Sequence, residues 1–182
     1  MTFLFLSASA ALAIFLIVTY NQLTRLRQLA RNAYADIDVQ LKRRHELVPS
    51  LVAAVRGHAG YESGTLVSVV DARTRAVTAR GPAATGVAEH ALSGEVRQLL
   101  AIAEAYPDLR AAESFLSLQK SLVEIEDHIQ NARRYYNAVV RDYNTKLEQI
   151  PSNVVAGPMG FEREEFFGLS EAAERASPQV KL

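Results

Sequence analysis

Residues 115–150 read FLSLQKSLVEIEDHIQNARRYYNAVVRDYNTKLEQI, and their periodicity decides the fold. Phe115, Leu122, Ile129, Tyr136, Tyr143 and Ile150 recur at sevens, with Leu118, Ile125, Ala132 and Val139 interleaved; Lys146 breaks the second series and Leu147 takes over. Apolar side chains three and four apart share one face of an α-helix, whereas a strand would alternate every second residue. The stretch is therefore predicted as one helix about 54 Å long at ~1.5 Å per residue, bounded by Pro107 and Pro151. A seam of this length is not stable alone in water, so partner helices are required.

The rest of the chain supplies them. Leu23, Leu26, Ala30, Ala33, Ile37, Leu41, Val48, Leu51 and Val55, then Leu66, Val69 and Ala76, form a second stripe that keeps register across Pro49. One helix kinked at Pro49 is expected, weakened locally by Gly57, Gly60 and Gly64. Residues 81–86, GPAATG, have the composition of a loop, and a shorter helix is expected over 87–105 with Ala88, Leu92, Leu99 and Ala103 inward. Phe161, Phe166 and Phe167 beside Glu162, Glu164 and Glu165 read as a short amphipathic helix capping the bundle, or as a docking surface for another protein. The fold class is all-α: an N-terminal transmembrane helix followed by an up-and-down bundle of long antiparallel helices. The expected divisions are an anchor at 1–22, a bundle at 23–160, and a short helix with a tail at 161–182.

No charged side chain precedes Arg25, and Phe3 to Tyr20 is apolar apart from Ser7, Ser9 and Thr19. At ~1.5 Å per residue this stretch is about 27 Å long, enough for a nearly upright crossing of a ~30 Å hydrocarbon layer, with Tyr20 in the headgroup belt. Ala8, Ser9 and Ala10 offer a small-x-small cleavage pattern, but no basic side chain precedes them and the most apolar part, Leu12 to Val18, follows them. Retention as an anchor is the expectation. Arg25, Arg27 and Arg31 follow the span directly, which places the N-terminus outside and the bundle in the cytoplasm by the positive-inside rule. Ser7 with Ala11, and Ser9 with Ala13, have a small-xxx-small spacing compatible with self-association.

Composition excludes several chemistries. With no Cys there is no disulfide framework, thiolate nucleophile or Cys-ligated metal. A net charge of zero provides no global field for nucleic acid. The charge is nonetheless polarised: residues 25–44 hold six basic and two acidic side chains, so this segment can face anionic lipid. Lys42, Arg43 and Arg44 form a candidate interaction surface there, although Lys42 also has Asp38 four residues away. No aromatic residues interleave with these cations, and no nucleic-acid partner is expected.

His45-Glu46-Leu47-Val48-Pro49 opens like a zinc-protease motif but has proline where the second histidine must stand. Glu124 and His128 share a helix face, without the second Glu-x-x-His that a di-iron bundle needs, and read as a solvated pair. No catalytic, cofactor-binding or metal-binding set is predicted. The pattern is spent on anchor and seam, so the expected function is a membrane-anchored, non-enzymatic helical scaffold or adaptor that binds proteins, lipid or copies of itself; two alternatives stand beside it, a hydrolase using His45, Glu46 or His128, and a membrane-shaping protein gripping lipid through its basic proximal segment.

Asp36 through Pro49, Ala103-Glu104-Ala105-Tyr106-Pro107-Asp108-Leu109, and Arg141-Asp142-Tyr143-Asn144 through Pro151-Ser152-Asn153 strongly resemble the LemA family. The resemblance runs from Tyr20-Asn21 nearly to the C-terminus. It implies a single membrane helix with a tiny external tail and a bromodomain-like cytoplasmic bundle at the bacterial inner membrane. As partners it implies membrane lipid and other proteins, a membrane protease among them, or self-association; it implies no activity. Ala112 stands where the family usually has a helix-capping Asn, and Pro158-Met159 replaces a more apolar pair.

Overall fold

The computed structural model describes residues 1–57 and 63–168. The first helix, α1, spans Thr2–Arg56 without interruption, about 82 Å at ~1.5 Å per residue, and Pro49 lies inside it. Proline has no N–H to bond the carbonyl four residues earlier, here that of His45. That oxygen instead accepts from Arg73 Nε at 2.8 Å, and Arg73 belongs to α2, Ser63–Thr78. The helix tolerates its proline because a neighbouring helix replaces the missing donor.

The single kinked helix expected to reach Ala76 ends instead at Arg56, before Gly57, and α2 runs back along it. The stripe kept its register because Leu66, Val69, Ala72 and Ala76 of the returning helix bury in the same cluster as Val48, Leu51 and Val55. Gly60 lies outside the described residues. The loop read into residues 81–86 is also corrected. The next helix, α3, spans Pro82–Ala103 and starts on the proline, which suits a first turn because its missing N–H would be unpaired there anyway. Gly81, at φ +81°, makes the reversal in a conformation that side chains disfavour.

A one-turn helix, α4, spans Pro107–Ala111 and leads into the long helix, α5, at Glu113–Glu148. Its seam is the expected one: Phe115, Leu122, Ile125, Ile129, Tyr136, Val139, Tyr143 and Leu147 are all buried. The helix stops before Ile150, which is exposed rather than in the seam. A last turn, α6, spans Ser152–Ala156. Among the described residues there is no strand.

α5 runs antiparallel to α1: Phe115 and Leu122 join the cluster around Val48 and Leu51, while Tyr143 and Leu147 pack with Leu23. The molecule thus has a head, where α2 and α3 join α1 and α5, and a stalk, where α1 and α5 continue toward the apolar segment. Along the stalk the third layer is residues 161–167, which form neither helix nor strand. No helix forms over residues 161–168, the described part of the segment expected to cap the bundle. Phe161 and Phe167 are buried at its two ends and Phe166 is half-buried, so the aromatic cluster packs as predicted but as a strap. The tail beyond Gly168 lies outside the described residues.

Candidate functional site

Arg44 occupies the inward face of α1, at the stripe position between Leu41 and Val48, and its side chain is 3% exposed. Burying a guanidinium requires carboxylates around it. Glu89 on α3, also 3% exposed, meets it in an ion pair, and Glu126 on α5 accepts from Nη1 at 2.7 Å. The same nitrogen donates to Ser93 Oγ, which in turn donates to Glu126 at 3.2 Å. Nη2 also donates to the Glu89 carbonyl at 3.3 Å, while Nε has no partner. The other Glu89 oxygen lies 2.6 Å from His45 Nε2. Burial pushes the Glu89 carboxyl upward, but the His45 hydrogen bond and the Arg44 charge outweigh it and hold this group below its ordinary value.

This network floors a cleft of about 420 Å³ between α3 and α5. Val96, Leu100, Leu122 and Val123 make its upper part apolar; Glu126, Asp127 and Gln130 border the middle, and Arg133 with Phe167 closes the lower end. Such a groove, apolar with a few fixed polar groups, suits a ligand or a partner side chain. A smaller cleft of about 260 Å³ lies between α1 and α2, beside Pro49 and Arg73.

At the lower end the strap is fastened by α5. Tyr136 Oη donates to the Glu165 carbonyl at 2.7 Å and Tyr143 Oη to that of Glu162 at 2.9 Å. Asn144 bonds both the carbonyl and the N–H of Glu164, at 2.9 and 3.0 Å; Asn137 does the same for Phe167, at 3.4 and 2.9 Å. Where the strap ends it crosses α3 at Gly86, and a Cβ there would overlap the backbone of Gly168.

The candidate residues from sequence are scattered. Arg25 and Arg31 are exposed, whereas Arg27 is half-buried with its guanidinium 4.8 Å from the Phe161 ring. Lys42 and Arg43 are exposed, with Lys42 bonded to Asp38 at 2.7 Å. Arg44 does not belong to that exposed surface: it is turned inward, and with Phe167 it lines the cleft. Glu46 and His128 are exposed and only His45 enters the network, so the three groups offered for hydrolysis do not converge. Glu124 faces Lys120, at 3.9 Å, in place of His128. Among the described residues no three His, Asp or Glu side chains gather as metal ligands.

Sequence reasoning missed Glu89, Ser93, Glu126, Asn137 and Asn144. Two signals pointed to them. Glu89 interrupts the apolar stripe of α3, just as Arg44 interrupts that of α1, and Tyr-Asn recurs at 136–137 and 143–144.

The model of the LemA family matches residues 33–182. The chain belongs to the LemA family. Among curated relatives, magnetosome proteins MamQ 1 and MamQ 2 of Paramagnetospirillum magneticum are each 27% identical over 178 residues, covering 84% of this chain and 65% of the relative. Protein LemA of Metamycoplasma hominis is 25% identical over 152 residues, covering 83% and 69%. The chain therefore spans somewhat less than two thirds of the length of the two MamQ proteins. α1 carries one stretch long and apolar enough to cross a membrane, and with the family this marks a membrane-associated protein.

Proposed function

We propose that this LemA-family protein is a single-pass anchor in a bacterial inner membrane, with a cytoplasmic head that holds a helical segment of a partner protein and turns over no substrate. The observation that carries this reading is the α3/α5 groove. The α3/α5 cleft of the four-helix head has apolar walls at Val96, Leu100, Leu122 and Val123 and a network at its floor in which Arg44 is engaged by Glu89 and Glu126. An amphipathic helix can fill such a groove with one apolar row. The basic residues Arg25 and Arg31 just beyond the apolar stretch support a cytoplasmic head. A membrane protease is one partner class consistent with this arrangement.

A photo-crosslinking side chain at Val123, in the groove, should give one discrete adduct in intact cells, and Leu100→Arg should abolish it. The same side chain at Val67, exposed on the outer face of α2, should give none. Equal adducts from both positions, or persistence in Leu100→Arg, would remove the adaptor reading. Because the chain lacks Cys, Gln98→Cys reports topology: protection from a membrane-impermeant thiol reagent in intact cells is expected, and rapid labelling contradicts a cytoplasmic head.

A further inference from the structure

The stalk ends in an apolar tip. Ile150 is 84% exposed, Val154 71% and Met159 42%, all in the short stretch where the chain leaves α5, forms α6 and turns toward the strap. Singly exposed apolar residues are common on protein surfaces, but three within one ten-residue stretch at the base of the bundle mark a surface that something covers. What covers this one follows from its height along α1. Leu147 packs with Leu23, and the two helices are antiparallel, so α5 ends at Glu148 close to the height of Leu23 and the chain from Gln149 onward leaves it at the base of the stalk. Val155 and Ala156 bury the inner side of α6, which packs against α1, and Thr19 is buried although it belongs to the apolar stretch. Phe161 makes an edge contact with the Tyr20 ring at 5.5 Å. The base of the cytoplasmic part therefore reaches the level at which the apolar segment of α1 begins.

We propose that Ile150, Val154 and Met159 insert into the boundary between headgroups and acyl chains, giving the protein a second, monotopic contact with the same leaflet that α1 crosses. This rests on the anchor reading above. Lipid is the occupant because the tip is continuous with the membrane segment and because exposed Arg25 stands on α1 about 7 Å above Tyr20, where phosphate groups would lie. Glu148, the acidic group nearest the tip in sequence, is engaged by Arg163 at 2.7 Å. Two attachment points fix the tilt of the stalk, whereas a lone span leaves the head free to swing.

The chain without Cys permits a direct test on the full-length protein. Ile150→Cys, Val154→Cys, Ile14→Cys and Leu116→Cys are each labelled with an environment-sensitive fluorophore and placed in vesicles of phosphatidylethanolamine and phosphatidylglycerol. Leu116 is an exposed apolar residue at the far end of α5, about 45 Å from the tip, and controls for partitioning by the dye itself. Lipids spin-labelled near the carbonyl should quench positions 150 and 154 at least about twofold more than position 116, with reduced access to aqueous iodide. Quenching at 14 but not at 150 or 154 overturns the tip contact and leaves the anchor standing. No quenching at 14 overturns both. Protection of 150 and 154 from lipid and aqueous quenchers alike overturns the lipid assignment in favour of a protein contact, such as a second copy.

Discussion

In the head, α1 and α5 are flanked by two further helices, and Leu66, Val69, Leu92, Val96 and Leu99 complete a core around Val48 and Leu51. In the stalk the same two helices are flanked by seven residues of irregular chain, 161–167. A helix satisfies its own backbone, so α2 and α3 need contribute only apolar side chains. A strap with no regular backbone pairing of its own leaves N–H and C=O groups to be satisfied, and the helix it lies on must supply partners from side chains. Tyr136, Asn137, Tyr143 and Asn144 do so. The two regions therefore fail differently. The head depends on a buried charge balance at Arg44, the stalk on hydrogen bonds to the strap.

The largest effect is expected at Arg44. Arg44→Ala leaves Glu89 buried without its cation, and loss of one partner of a buried pair costs about 3–5 kcal/mol. Global unfolding in denaturant should shift by that amount; a shift below about 1 kcal/mol would show that the network does not hold the head. Asn144→Ala removes both bonds to Glu164 and should cost about 1–3 kcal/mol, mostly as local release of the strap. Trypsin cleavage after exposed Arg163 reads this out: it should accelerate in Asn144→Ala, and an equal acceleration in Arg44→Ala would erase the distinction between the regions.

Titration sharpens the contrast from opposite ends of the pH scale. Glu89 is held below its ordinary value, so its contribution is present above the unfolded-state pKa and lost as pH falls through the lower folded value. Glu89→Gln should flatten that acid-side loss. Burial pushes the Tyr136 and Tyr143 phenols up, so their contribution is present below the ordinary phenol value and lost as pH rises past it toward the folded value. Tyr136→Phe with Tyr143→Phe should flatten the alkaline loss and leave the acid side unchanged; a change in the acid limb would contradict the separation. The smallest effect is expected at Lys42, whose bond to Asp38 lies on an exposed helix face. Lys42→Ala should leave both the unfolding midpoint and the trypsin rate where they were.

Much of this architecture was legible from the chain. The spacing from Phe115 to Leu147 identified the long seam, the uncharged stretch before Arg25 identified the candidate span, and the stripe through Pro49 identified continuity of α1. These are periodic signals, and each depends only on neighbours within one helix. The failures share a cause. A stripe continued to Ala76 is equally consistent with one helix and with two that face a common core, because periodicity records which face is buried and not the direction of the chain. The strap was read as a helix because its three phenylalanines signalled burial, while its backbone conformation was set by donors and acceptors on α5.

The candidate site was less legible. Arg44 stood in a run of three basic residues and read as surface; its place on the stripe argued otherwise, but which carboxylates receive it is a matter of three helices meeting. By itself the amino-acid order determined that this protein is helical, that its first segment suits lipid and that one long amphipathic helix organises the remainder, since these follow from local hydrophobic patterning. Only the tertiary structure decided that Glu89, Ser93 and Glu126 surround Arg44, that a cleft lies between α3 and α5 and that Phe161 at the base of the stalk meets Tyr20. Those facts depend on where distant helices come to rest against one another, and no pattern within a single helix encodes that separation.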